Sequence, residues 1–318
     1  MIVSRRQVLL AGLAGVAASL AGCAATSDPR LQTSQTDWPR PNTWAAGAAA
    51  QMRLAGAYSW AGELEPNWST WCQGASLLHG AQGAILTQPD PWAGFEPGQT
   101  PAPQPSPEPS NPADALDNVM LALADASRTA QDGLASANAG SEALLWAGLV
   151  ACCAVDAAWC AAPDTRPAYT PGDVTPSMMD AATPAQAAGA ALDLLNPLVY
   201  LLTTAMGRAS ADDPLRQLMA ARLSQTGPLR DKLQLIIRSA GQSPTPAALS
   251  YPLPDHIEVA SVVRLAWGNS ENDLGQAFTK LAGTQTGDDA VDTANQAGDQ
   301  LARANSLGQA ITWWPGWG

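Results

Sequence analysis

The sequence predicts an all-α protein, and three observations predict it. Its apolar residues are dominated by the strong helix formers Ala and Leu, with only two Phe in the chain. Long alternating runs of β-branched residues, the mark of half-buried strands, are missing. Asn111-Pro112, Thr183-Pro184 and Asp213-Pro214 each set a capping side chain beside a proline suited to a first helical turn.

The chain opens with a leader. Arg5 and Arg6 are the only charges before Cys23, the 14 residues Val8 to Ala21 are apolar, and Leu20-Ala21-Gly22-Cys23 forms a lipobox. A membrane-spanning helix needs ~20 apolar residues, so this run is a signal core and not a span. Residues 1–22 are thus expected to be a twin-arginine export signal and lipoprotein signal peptide, with Arg5 and Arg6 as its basic element. Cys23 becomes the lipidated N-terminus, which anchors the protein on the extracytoplasmic face of the cell membrane. Residues 23–42, polar and proline-containing, read as a flexible tether.

Eight helices are expected after the tether. The first runs from about Trp44 to Glu63, with Asn42-Thr43 as its start and Pro66 beyond its end. The second, about 67–86, carries Trp68, Trp71, Ala75 and Leu78 at helical spacing. Nine prolines fill Thr87 to Pro112, so 87–112 is an extended linker. In the third helix Leu116, Met120, Leu123, Ser127 and Leu134 make one face, and the fourth, about 140–161, presents Leu145, Leu149 and Cys152. After a loop at 163–183, Thr183-Pro184 opens a fifth helix to about Arg208, and Asp213-Pro214 opens a sixth ending at Gly241. Both contain a proline, Pro197 and Pro228, where a kink or break is expected. The seventh, about 256–282, repeats Val259, Val262, Val263, Ala266, Leu274, Ala277, Phe278 and Leu281, and the last spans about Asp288 to Ile311.

Connection lengths then suggest how the helices assemble. The last four are joined short, long, short, by 209–212, 242–255 and 283–287. Fourteen extended residues reach at most ~50 Å, enough to run back along a helix of ~30 residues. One long crossover in a four-helix bundle is the ferritin-like arrangement. The first four helices repeat the rhythm, with the proline linker as the long join. The expected organisation is an N-terminal, bundle-like helical region at 43–161 and a ferritin-like four-helix bundle at 183–318.

Specific residues add a resemblance. Leu229-Arg230-Asp231-Lys232-Leu233, Ala240-Gly241, Ser250-Tyr251-Pro252-Leu253-Pro254, the Leu265-Ala266 to Leu281 helix and the closing Trp314-Pro315-Gly316-Trp317 carry it. Over 183–318 the chain resembles the ferritin-like domain of unknown function found in actinobacterial lipoproteins, and the leader fits that group. The resemblance implies a fold and a cellular address, and no activity.

Chemistry is sparse. With 16 basic and 28 acidic residues the net charge is −12, which argues against nucleic acid as a partner. Ferritin-like di-iron sites use glutamates from four helices and two Glu-x-x-His pairs. This chain has seven glutamates, none beginning Glu-x-x-His, and its two histidines are His79 and His256. Glu271 alone faces inward in the seventh helix. No metal, cofactor or catalytic residue is therefore expected. His79 reads as a satisfied helix residue, and His256 as an exposed neighbour of a capping Asp255. No G-x-S-x-G motif supports a serine hydrolase.

The cysteines left after Cys23 are Cys72, Cys152, Cys153 and Cys160. Either one bridge joins Cys72 to Cys153 or Cys160, or all four are small buried residues. None has C-x-x-C spacing, which disfavours zinc. Twelve tryptophans read as fillers between Ala-rich helices, with a stacking surface for a glycan or envelope partner as the alternative. The expected function is that of a lipid-anchored, non-enzymatic bundle binding an envelope protein or small ligand. A metal or redox protein using Glu271, His79 and scattered Asp residues across both halves, and an envelope chaperone using the tryptophans, are the alternatives.

Overall fold

A computed structural model describes residues 42–317 apart from 89, 93–107, 165, 168, 172–174, 179–181 and 211. The chain divides into Met1–Pro39 and Arg40–Gly318, and every described residue belongs to the second unit. Arg5, Arg6 and Cys23 lie outside the described residues, as does most of the proline linker.

The described residues form eight α-helices and no strand, so the all-α expectation holds. They are α1 (Asn42–Leu64), α2 (Ser69–Thr87), α3 (Pro112–Ser136), α4 (Ser141–Cys160), α5 (Pro184–Arg208), α6 (Pro214–Ser239), α7 (Ala260–Gly283) and α8 (Gly287–Ser306). A 3-10 turn, Pro66–Trp68, separates α1 from α2.

The three cap-and-proline starts form as the sequence reads. Asn111 accepts from the backbone N–H groups of Ala113 and Asp114, and Asp213 from that of Leu215. Thr183 and Gln186 close a capping box. At the end of α6, Gly241 takes φ +73°, Gln242 N–H bonds the Ile237 carbonyl and Gly241 N–H that of Arg238. That is a Schellman stop, for which glycine is suited.

Four expectations need correction. Pro197 and Pro228 do not break their helices: each removes one backbone donor, and the turns on either side carry α5 and α6 through. Helix α7 begins at Ala260, not 256: residues 255–258 form turns, His256 has φ +60°, and Val259 is the cap residue. Asp255 therefore caps nothing there. Helix α8 ends at Ser306, stopped by Gly308 at φ +99°, with Gln309 N–H on the Ala304 carbonyl. In α3 the buried stripe is Ala115, Val119, Leu123, Ala126, Ala130 and Leu134, leaving Met120 exposed. Alanines let α3 sit close to its neighbours, and the larger Met120 and Leu121 are turned outward.

The helices assemble as two quartets with the same wiring. In the first, α1 packs on α2 and α3, and α3 on α4; in the second, α5 packs on α6 and α7, and α7 on α8. Contacts fix the directions. Trp71 meets Trp159 and His79 meets Asp156, so α2 and α4 are antiparallel. Since α3 and α4 are antiparallel neighbours, α2 and α3 run the same way. Likewise Arg222 meets Gln300 and Lys232 meets Thr293, so α6 and α8 are antiparallel and α6 and α7 run together. Each quartet thus has one long return between its second and third helices.

Helix α4 joins the quartets, packing on α3, α7 and α8. Where α4 and α8 cross, a methyl on Gly298 would collide with the Ala154 side chain. Helices α4 and α5 are long and apolar enough to cross a membrane by composition, but 83% of the apolar window of α4 is buried inside the fold. Its hydropathy is that of a central core helix. One continuous core includes residues from all eight helices.

The C-terminal segment straps the two quartets together. Thr170 and Thr312 form a β-bridge, Gln276 donates to the Thr312 hydroxyl, and Gly316 N–H donates to Gln276. Pro315-Gly316 turns at φ +86°, and Trp313, Trp314 and Trp317 are buried.

Candidate functional site

Each quartet buries one cluster of polar side chains at about mid-height. In the first, α2 supplies His79 and Gln82, α1 supplies Gln51 and Tyr58, and α4 supplies Asp156; Tyr169 comes from the following loop. Asp156 is the only charged side chain between Glu142 and the end of α4, where its burial would be costly without partners. It has two. His79 Nε2 lies 2.6 Å from Asp156 Oδ2, and the Tyr169 hydroxyl donates to Oδ1 at 2.8 Å. His79 Nδ1 lies 2.6 Å from Gln51 Oε1 and 3.2 Å from Gln82 Oε1, and Tyr58 stacks on the imidazole at 5.9 Å. Gln82 reaches on to the Trp313 carbonyl in the strap at 3.4 Å.

Both ring nitrogens of His79 are thus engaged, and His79 and Asp156 are completely buried. A general base needs a free nitrogen within reach of substrate, and this histidine offers none. The expectation of a satisfied histidine holds.

Around the cluster stand Cys72, Cys152, Cys153 and Cys160, all buried free thiols, so no bridge joins Cys72 to Cys153 or Cys160 here. Burial first, and then the Asp156 carboxylate, push the Cys160 thiol up to about 12; burial, Cys160 and Asp156 do the same for Cys72. Protonated thiols sealed from solvent are poor nucleophiles and poor metal ligands.

In the second quartet the cluster is ionic. Arg222 of α6 grips Glu271 of α7 with both arms: Nε donates to Oε1 at 2.6 Å and Nη2 to Oε2 at 2.9 Å. The same Nη2 donates to Gln300 of α8 at 2.5 Å, and Trp267 Nε1 donates to Glu271 at 2.8 Å. Arg303 stands 3.8 Å from Glu271 and donates to Gln300 at 3.2 Å. Burial, and then the neighbouring Arg222 charge, lower the Arg303 guanidinium from its ordinary value. Glu271 does face inward, as its position predicts, but its carboxylate is fully engaged by a guanidinium.

Glu271 and His79 therefore belong to different quartets, each with its own partners. Among the described residues, no group of three or more His, Cys, Asp or Glu side chains is placed to hold a metal ion. His256 is exposed, with its ring 3.4 Å from the Glu258 carboxylate. The tryptophans fill space as expected: Trp44, Trp71, Trp146, Trp159 and Trp267 are buried and Trp60, Trp68 and Trp92 half-buried. A groove of about 420 Å³ between α1 and α3 is lined by Thr43, Ala46, Arg53, Asp125, Arg128 and their neighbours. Burial would raise the Asp125 carboxyl, but Arg53 and Arg128 outweigh it and hold it low, so both cations are already engaged.

Arg222, Asp156, Tyr169, Gln51, Gln82 and Gln300 do not stand out as site residues in the sequence. Two of them carry a signal nonetheless. Arg222 falls on the apolar stripe Leu215, Met219, Arg222, Thr226, and Asp156 interrupts an apolar helix. The glutamines look the same in sequence whether exposed or buried. Comparison with family models, curated proteins and solved structures gives no match for this chain.

Proposed function

We propose that this protein is a lipid-anchored, non-enzymatic helical bundle that binds a partner or ligand at the cell envelope, built from two ferritin-like quartets. One observation carries the reading: the mid-bundle groups a ferritin-like chemistry would use are spent on one another. Glu271 is held by Arg222, and His79 by Asp156 and Gln51. What remains for function is surface and address. Leu218, Leu235, Leu249 and Leu265 of the second quartet are exposed, Leu249 completely so, and they suit contact with a partner. Arg5, Arg6 and Cys23 supply the address, with export through the twin-arginine route and lipidation at the outer face.

Capture from the envelope tests this reading. The native lipidated protein is expected to fractionate with membranes and to retain a stoichiometric partner on gentle solubilisation. Cys23→Ala should release it, and Leu235→Glu with Leu265→Glu should weaken capture without loss of helicity. A Cys23→Ala protein that stays on the membrane, or capture indifferent to both leucine substitutions, would contradict it.

A further inference from the structure

We propose that Tyr169 is a proton-coupled one-electron redox site, wired to the surface by a chain of indole rings that begins at Trp68. This goes beyond the binding role and does not depend on it. The chain is continuous. Trp68, half-buried, meets Trp159 at a centroid distance of 5.9 Å; Trp159 stacks on Trp71 at 5.4 Å; Trp71 meets Tyr169 at 5.2 Å. Rings this close are in van der Waals contact, so an electron crosses no gap filled by saturated side chain. Trp159, Trp71 and Tyr169 are all buried.

Direction comes from the hydrogen bonds. A ring that loses an electron becomes strongly acidic, and the hole settles where the proton has a base to go to. The Trp159 indole N–H points at the Asp164 carbonyl at 3.2 Å, which is no base at neutral pH. Tyr58, beside Trp159, has its hydroxyl near the Cys160 thiol at 4.0 Å and the Trp71 indole, and neither is a base for its proton. Of these rings Tyr169 alone points its hydroxyl at a carboxylate, Asp156 at 2.8 Å, which His79 backs on its other oxygen. Burial and then Asp156 hold the Tyr169 phenol well above its ordinary value, so it rests protonated and must release a proton when oxidised.

Electrons and protons balance in one step. An outer-sphere one-electron oxidant at the surface accepts one electron, relayed from Tyr169 through Trp71, Trp159 and Trp68. The Tyr169 O–H bond breaks, its proton passes to Asp156 Oδ1, and a neutral phenoxyl radical remains. A one-electron donor reverses both transfers. Chemically this makes the first quartet a sink for one oxidising equivalent arriving at the protein surface.

Flash oxidation of the full chain by photogenerated tris-bipyridine ruthenium(III), followed by freeze-quench electron paramagnetic resonance, tests it. The background is Tyr200→Phe with Tyr251→Phe, which removes the half-buried tyrosine pair that lies off the chain. The expected product there is a tyrosyl radical. Tyr169→Phe and Trp159→Phe should each abolish it, and Asp156→Asn should replace it with a tryptophanyl signal while the indole chain stays intact. A tyrosyl signal absent from the background, surviving Tyr169→Phe, or unchanged by Trp159→Phe overturns the proposal. Helical circular dichroism checks each variant; should Tyr169→Phe fail to fold, Trp159→Phe and Asp156→Asn decide.

Discussion

The two quartets share a helix order and differ in what holds their centres open. In the first, α2 and α4 are spaced by aromatic rings and a His79–Asp156 pair with Tyr169; in the second, α6 and α8 are bridged by Arg222, Gln300 and Glu271. In both quartets the gap between the second and fourth helices is spanned by long side chains. Alanine and leucine do not fill it, so each quartet recruits larger or polar side chains. Once recruited, these must satisfy one another, because an unpaired polar group there is costly. The same wiring thus supports two unrelated fillings, one built of aromatic rings around the Asp156 carboxylate, one of a guanidinium gripping Glu271.

The sharpest way to break the contrast is to unpair the ionic centre. Glu271→Ala leaves Arg222 buried without its counter-charge and should cost about 3–5 kcal/mol in urea denaturation. Arg222→Met with Glu271→Leu should recover most of that loss, since well-packed apolar replacements of buried pairs are often neutral. If the double variant is as unstable as the single one, the pair does more than fill space. In the first quartet Asp156→Ala strands His79 and Tyr169 together and should cost about 3 kcal/mol by the same measurement.

Packing comes next. A methyl at Gly133 would sit 2.5 Å from Trp146, so Gly133→Ala should destabilise by about 1–3 kcal/mol in thermal melts. Gly189→Ala, where a methyl meets open space, is the matched control.

Alkaline pH separates the quartets more gently. Cys72 and Cys160 rise from 9.0 to about 12 on folding, so the folded state keeps their protons where the unfolded chain releases them. Their contribution is complete below pH 9 and is lost as pH climbs toward 12, at about 1.4 kcal/mol per pH unit for each group. Melts from pH 8 to 11 should show this slope, and Cys72→Ala with Cys160→Ala should reduce it by about half, because burial raises the Cys152 and Cys153 thiols in the same way. The smallest effect belongs to the surface. Asp125→Ala loses exposed pairs with Arg53 and Arg128 and should change stability by no more than about 1 kcal/mol.

Much of this architecture is legible in the residues, and what escapes them does so for physical causes. Cap-and-proline pairs fix local backbone choices within one turn, so Asn111, Thr183 and Asp213 mark their helices faithfully. The buried face of α3 is harder to read because large apolar residues usually mark such a stripe, whereas here Ala126 and Ala130 pack the interface and Met120 is left outside. The start of α7 is obscured because Pro254-Asp255 has the form of a cap, and positive φ at His256 is invisible in sequence. Glu271 can be placed inward from its spacing, but its partner lies 49 residues away on another helix. Long-range pairing of that kind needs the fold before it can be seen.

In the second quartet the mid-bundle carboxylate is held by Arg222, and the proposed function turns on that pairing. Equilibrium dialysis of the full-length protein against ferrous iron and manganese, with metal content read by mass spectrometry, tests it most directly. The expected result is no stoichiometric uptake by the wild type. Tight binding of one or more ions per chain, abolished by Glu271→Ala, would contradict it.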